Sequence, residues 1–252
     1  MSFCEAVKKH FIVSRFMLFQ QFGELSDEVG YILSPIVKMI VIVALGTIVI
    51  AMIGKYKQKR KVITRNLMIM FVLYLLATLF SSFDILLGWE YLFSPGTEKT
   101  YIGMGLAFFF NGLGNIIYYW FTLEIYYEKS IEKEQRNKQV LIIAILEIGS
   151  TGTAMILRIL ISDISFLFTV IHMIVTMYIF MLVLINSVRS EVKIDEEEYK
   201  VRFRSIATAA GFAIVMIVLF AIDSLFAGVT IYSLIGWLCL IGACYYLHRG
   251  YV

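Results

Sequence analysis

Long apolar runs alternate with short polar segments along almost the whole chain. Seven runs, at residues 31–53, 67–89, 101–123, 140–161, 164–187, 205–227 and 229–247, stand out. Each has about the 20 residues that a helix needs to cross a ~30 Å hydrocarbon core. Barrel strands are only about ten residues long, and backbone amides in lipid must be hydrogen-bonded within their own segment unless a barrel closes. The pattern therefore predicts an all-α polytopic membrane protein, a seven-transmembrane helix bundle.

The first residues differ in character from the predicted spans. The apolar stretch 11–22 is interrupted by Arg15 and two glutamines and lacks the small-residue cleavage site of a signal peptide. Its aromatic residues can share one side while nearby Lys and Arg reach lipid headgroups, as in an amphipathic helix lying in the membrane plane. We therefore expect an N-terminal interfacial segment, 1–29, followed by the bundle, 30–252.

Charge is distributed unevenly between the connecting segments. Only 16% of the residues are charged, against about a quarter in soluble domains. Alternate connections carry six, four, five and one Lys or Arg, whereas Lys99 is the single cation in the loops between them. The richest is 54–65. Because Lys and Arg beside spans are retained in the cytoplasm, we expect the N-terminus outside, the C-terminus inside, and a location in the cell membrane.

Six ionisable residues fall inside the predicted spans. A charge near the bilayer centre costs about 2.5–3.5 kcal/mol on insertion scales, so each is a candidate site residue. Counting ~1.5 Å per residue from the span ends places five of them in the outer half and Glu147 alone in the inner half. The five are Lys38, Asp84, Arg158, His172 and Asp223.

Other polar residues repeat at helical spacing. Asn111, Asn115, Tyr118 and Thr122 follow one another at steps of four, three and four, which is one helix face. Three further spans carry similar stripes, formed by Thr78, Ser81 and Asp84, by Glu147, Ser150, Thr151 and Arg158, and by Thr169, His172 and Thr176. The stripes predict a shared polar interior. We expect an outward-facing cavity lined by Lys38, Asp84, Asn111, Asn115, Arg158, His172 and Asp223.

These residues also have purely structural explanations. Lys38 can pair with Asp84 or Asp223, or extend toward the interface, and both acids are shallow enough to meet interfacial water. Glu147 has no obvious cation at its depth, so it is expected to be neutral or hydrogen-bonded to Asn115 or Tyr118. A carboxyl kept neutral by burial is a candidate proton-coupled or conformational switch.

Catalytic and cofactor motifs are not apparent. The seventh span has no Lys for a retinal Schiff base. Residues 149–152 resemble the nucleophile motif of rhomboid proteases only loosely, because Thr151 stands in place of Ser. We expect His10 outside the cell, His172 within the membrane and His248 in the cytoplasm. Three histidines so far apart do not suit a three-histidine metal centre. We therefore expect no enzymatic activity, no cofactor or metal, and no nucleic-acid partner.

The end of the third span, WFTLEIY at 120–126, carries a family resemblance. It resembles the aliphatic-Phe-Ala-Leu-Glu-Tyr ending of the third helix in the seven-transmembrane sensor region that precedes many prokaryotic histidine kinases. The basic first loop, short external loops and N-out orientation are similar too. The chain stops at Val252 without a kinase, so the resemblance implies output through a separate partner. The mixed-charge segment 189–204, extending helices five and six into the cytoplasm, is the expected contact unless it is simply solvated.

Two further functions stay open beside a sensor that binds a small polar or zwitterionic ligand. One is a small-solute transporter of three-plus-one-plus-three type. Overlaying spans one to three on five to seven brings Lys38 near His172 and Asp84 onto Asp223, but the Pro-Gln signature of that family is missing. The other is a non-catalytic structural or assembly role. The ligand, the signalling partner and the oligomeric state are not specified by the sequence.

Overall fold

Helices account for nearly all of the chain that the structure, a computed structural model, describes. The described residues are 33, 36–58, 60–86, 102–126, 133–160, 165–225 and 231–251. Within them are α1 (Ile36–Gln58), α2 (Val62–Leu86), α3 (Ile102–Tyr126), α4 (Lys133–Leu160), α5 (Ser165–Lys193), α6 (Glu197–Leu225) and α7 (Ile231–Tyr251). The predicted all-α fold is confirmed. The predicted interfacial segment, 1–29, lies outside the described residues.

Five of the described helices, α1, α2, α5, α6 and α7, are long and apolar enough to cross a membrane. Their outward surfaces agree with that reading, because large apolar side chains are exposed along whole faces. On α1 these include Ile36, Met39, Ile40, Val43 and Ile50. Such continuous apolar faces mark a membrane-contacting surface. The chain is therefore an integral membrane protein in contact with lipid.

Neighbouring helices run antiparallel. At one end, Lys38 near the start of α1 donates a hydrogen bond of 3.0 Å to the Ser81 carbonyl near the end of α2. The Lys38 ammonium also lies 5.4 Å from the ring centroid of Trp237, near the start of α7. At the other end, Asn66 of α2 donates to Glu124 of α3 at 2.9 Å. We call these ends the Lys38 end and the basic end, since the latter carries the cations of 54–65.

The helices continue beyond the predicted spans at the basic end. α1 runs through Gln58 and α2 begins at Val62, so most of the predicted loop 54–65 is helical. Arg60 adopts a left-handed φ of 47°, a conformation that commonly follows a helix terminus. Likewise only 194–196 separate α5 from α6, which confirms the predicted extension of these two helices. The helical backbone therefore continues past the ends of the apolar runs.

α3 lies at the centre of the bundle, where it packs against α2, α4 and α5. Glycine makes these contacts close: a Cβ on Gly114 would lie 2.7 Å from the ring of Tyr74, and one on Gly112 would lie 2.8 Å from Thr151 Oγ1. Tyr118, Phe121 and other fully buried side chains fill the core mainly in the half nearer the basic end. Space between the helices can therefore remain in the half of the bundle nearer the Lys38 end.

Candidate functional site

A cavity of about 320 Å³ lies between the helices. Every described helix except α4 contributes to its wall, and each contributes from the half nearer the Lys38 end. Pockets for small molecules typically measure about 300–1,000 Å³ and are mostly apolar with a few convergent polar groups. This cavity is at the small end of that range and suits a ligand no larger than a small metabolite.

Four of the seven residues predicted to line an outward-facing cavity border this one: Lys38, Asn111, His172 and Asp223. Asn115, one turn further along α3 than Asn111, is fully buried just beyond the wall. Asp84 and Arg158 lie in the helical segments of α2 and α4, but their side chains are outside the described part of the structure. The structure thus brings together residues from α1, α3, α5 and α6 that are far apart in sequence.

Lys38 holds a buried positive charge at the cavity wall. Only 5% of the residue is exposed. Its ammonium donates to the Ser81 carbonyl and faces the Trp237 ring, two interactions that stabilise a cation away from water. Asp223, from α6, is half-buried on the same wall. The cavity therefore presents groups of both charge signs.

Beyond the cavity wall, a hydrogen-bond network joins four helices. Glu147, at the middle of α4, has no exposed surface. Its Oε1 accepts hydrogen bonds from Asn115 Nδ2 at 2.6 Å and from Thr176 Oγ1 at 3.1 Å. Asn115 Oδ1 in turn accepts one from the Tyr74 hydroxyl at 3.0 Å. We call Tyr74, Asn115, Glu147 and Thr176 the Asn115 network; it links α2, α3, α4 and α5.

The expectations for Glu147 are partly confirmed and partly wrong. The expected hydrogen bond, to Asn115 or Tyr118, is confirmed for Asn115, and the Tyr118 hydroxyl donates to the Ile206 carbonyl at 3.4 Å. Glu147 is not alone at its depth, because His172 Nδ1 lies 3.9 Å from Glu147 Oε1. Glu147 lies 13 residues before the end of α4, whereas His172 lies 7 residues after the start of α5. Their side chains meet because the two helices are shifted along each other, which counting from span ends does not reveal.

The polar stripes predicted from spacing do face inward. Among their described members, the buried residues are Thr78, Ser81, Asn115, Tyr118, Thr122, Glu147, Ser150, Thr151, His172 and Thr176. Meanwhile α4 exposes a run of large aliphatic side chains that includes Leu141, Ile145 and Ile148. A bilayer favours this arrangement, in which polar side chains face the interior of the bundle and apolar side chains face outward.

Sequence reasoning missed the aromatic part of the cavity. Phe108 contacts His172 edge-on with ring centroids 5.1 Å apart, and Phe220 meets Trp237 edge-on at 5.5 Å. Phe108 and Phe220 sit in apolar runs and give no signal in sequence. Trp237 does, because Trp in a span normally gathers near the membrane interfaces, whereas this one lies six residues past the start of α7.

Taken together, the fold and the cavity define an all-α integral membrane protein with a mixed polar and aromatic cavity between its helices. Among the residues that the structure describes, no group of three or more His, Cys, Asp or Glu is placed to hold a metal ion. No protein-family model, no curated protein and no solved structure matches the chain.

Proposed function

We propose that this protein is a seven-transmembrane, receptor-like sensor that binds a small polar or zwitterionic ligand in its cavity and signals through a separate partner. The observation that carries the proposal is the cavity, which holds Lys38 and Asp223 within a volume of about 320 Å³. A zwitterion offers an anionic group to Lys38 and a cationic group to Asp223, and such charge-assisted hydrogen bonds are the strong ones. The aromatic wall would cover the apolar part of the ligand.

The proposed topology has all seven helices crossing the membrane with the N-terminus outside. α3 supports this because it lies among the other helices and packs along α2, α4 and α5. The orientation follows from charge: the basic end carries Lys55, Lys57, Lys61 and Arg65, and cations of this kind stay in the cytoplasm. The cavity then faces the outside of the cell membrane, where an external ligand can reach it.

Cysteine labelling tests this topology. In a variant lacking the three native cysteines, Lys57→Cys should be protected from a membrane-impermeant maleimide in intact cells and labelled after the cells are opened. Lys99→Cys, in a predicted external connection, should react in both conditions. Labelling of Lys57→Cys in intact cells would reverse the orientation and put the cavity on the cytoplasmic side.

We propose that the helices that flank the cavity carry the signal from ligand to output. Thr176 lines the cavity and also donates to Glu147 of the Asn115 network. α5 and α6 continue to the basic end, where Arg204 donates two hydrogen bonds to Glu191 Oε1 at 2.9 and 2.7 Å. We propose that the exposed charges of 189–204 form the contact with the signalling partner, since the paired helix ends would move together.

Ligand-dependent stabilisation tests the function. We expect at least one member of a panel of glycine betaine and the common free amino acids to raise the melting temperature of the purified protein, because a ligand that binds only the folded state stabilises it. Asp223→Asn should decrease the affinity for that ligand more than about tenfold, equivalent to about 1.4 kcal/mol. Asp195→Asn, at an exposed position in the turn between α5 and α6, serves as the matched control and should bind normally.

Two results would redirect the proposal. Unchanged binding by Asp223→Asn would show that this acid has only a structural role. Uptake of the same ligand into sealed proteoliposomes, especially uptake driven by a proton gradient, would identify a carrier and not a sensor.

A further inference from the structure

The centre of the bundle contains two buried polar atoms that lack hydrogen-bond partners among the described residues. They are Glu147 Oε2 and His172 Nδ1. Both side chains are buried, with relative exposures of 0% and 3%, and the Glu147 Oε1 to His172 Nδ1 distance is 3.9 Å. Buried polar groups are nearly always hydrogen-bonded, so two such atoms side by side call for a shared explanation.

Within the described ranges, the arrangement lacks a compensating positive charge for the carboxyl and a hydrogen-bond partner for the imidazole nitrogen. A buried carboxylate needs a proton or a cation beside it, because an isolated charge away from water is very unfavourable. The two hydrogen bonds that Glu147 receives come from an amide and a hydroxyl, which are neutral. In the described part of the chain, the basic side chain found within 4 Å of the carboxylate is His172.

We propose that Glu147 and His172 hold one exchangeable proton between them, which makes this pair a proton-binding site next to the cavity. In one form a Glu147 carboxyl oxygen carries the proton and His172 Nδ1 accepts its hydrogen bond. In the other form the O–H bond has broken, an N–H bond has formed at Nδ1, and imidazolium faces carboxylate. Both forms have zero net charge, and shortening the 3.9 Å contact by roughly 1 Å gives an ordinary hydrogen bond.

The position of His172 gives the proton a route. His172 belongs to the cavity wall and Glu147 does not, so the imidazole offers the carboxyl a basic link to the cavity. Thr176 also borders the cavity and donates to Glu147, but a hydroxyl is not a base at neutral pH. The carboxyl is contacted by the Asn115 amide from α3 and by the Thr176 hydroxyl from α5, and neither group is basic. Glu147 and His172 are therefore the groups here that can accept the proton. Among the described residues, the other titratable or charged groups nearby are Tyr74, which contacts Asn115, Cys244 beside Tyr74, and Lys38 and Asp223, which share the cavity wall with His172.

Proton occupancy would alter the contacts between α4 and α5. Loss of the proton leaves a buried carboxylate that receives hydrogen bonds only from neutral groups among the described residues, and protonation of both groups leaves a buried cation. Either change would loosen a contact that also includes Thr176 and Asn115. The proton site does not require the cavity to bind a ligand, so it can be tested independently of the proposed function.

Counting the protons on the pair tests the inference. We expect the infrared spectrum of the full chain in lipid at neutral pH, or the ¹⁵N resonances of its histidines, to show one proton. That proton appears either as a carboxylic-acid C=O band that is lost in Glu147→Gln or as an imidazolium signal that is lost in His172→Gln. Glu124→Gln, which removes a partly buried carboxyl at the basic end, should change neither signal.

The two substitutions also distinguish a shared proton from one held by Glu147 alone. If the proton is shared, His172→Gln should shift the carboxylic-acid band, or create one where the wild type shows imidazolium, because the basic acceptor is gone. An ionised Glu147 beside a neutral His172 would overturn the inference, and so would melting-temperature stabilisation by sodium ions that disappears in Glu147→Gln. His172→Gln keeps the inference testable if Glu147→Gln does not fold.

Discussion

Asn115→Ala is expected to be among the most destabilising single substitutions in this protein. The side chain is fully buried and makes hydrogen bonds with Tyr74, Glu147 and Thr176. Interhelical hydrogen bonds within membranes contribute about 0.6 kcal/mol each on average, and up to about 1.7. Three of them, together with the void left by the truncation, imply a loss of about 2 kcal/mol or more.

The measurement is the melting temperature of the purified protein in a fixed lipid mixture. A loss of about 2 kcal/mol corresponds to a decrease of roughly 4–8 °C for a chain of this size. Asn111→Ala is the matched control, because Asn111 lies one turn away on the same face, where it is half-buried and borders the cavity. Equal losses from the two variants would mean that the Asn115 network does not hold α2 to α5 together.

Residue spacing was sufficient to predict which faces of the helices point inward. Asn115, Tyr118 and Thr122 recur at helical intervals, and all three are buried. This works because a bilayer reverses the usual preference: polar side chains turn away from lipid, so a polar stripe identifies the buried face of its helix. The Glu147–Asn115 contact followed from the same reasoning, since two inward-facing polar groups on neighbouring helices find each other.

Contacts that depend on how far one helix is shifted along its neighbour could not be predicted. The proximity of Glu147 and His172 requires the relative shift of α4 and α5, which apolar runs do not encode because they mark only where lipid begins and ends. α4 extends to Lys133 and α6 begins at Glu197, both well before the predicted spans. The acidic residues in the first turns of these two helices favour such extensions, because a helix N-terminus attracts negative charge.

The aromatic wall escaped prediction for a different reason. Phe108 and Phe220 line the cavity, yet a Phe in an apolar run looks the same whether it faces lipid, core or cavity. A Phe does not change the composition of a span enough to be noticed, whereas a charged or amide residue does. Sequence therefore indicates the charged half of a ligand's environment much better than the apolar half.

Lys38→Met is expected to separate stability from binding. Replacing a complete buried ion pair by apolar residues of similar volume is often neutral or stabilising by about 1–4 kcal/mol. Removal of the single Lys38 ammonium likewise ends the cost of keeping an ion away from water. Methionine is flexible and forms favourable contacts with aromatic rings, so it suits the place beside Trp237. Asp223 is half-buried and can be solvated, so the substitution does not strand a fully buried charge.

The same variant should lose the anionic anchor of the proposed ligand. We expect the ligand-induced rise in melting temperature to vanish in Lys38→Met while the temperature without ligand stays equal or increases. Lys57→Met, at an exposed position of α1 near the basic end, should leave both quantities unchanged. Decreased stability with intact binding would instead make Lys38 a structural link between α1, α2 and α7. A lysine held in the bundle at a cost to stability is explained by what it binds, whereas one that stabilises the bundle needs no ligand to explain it.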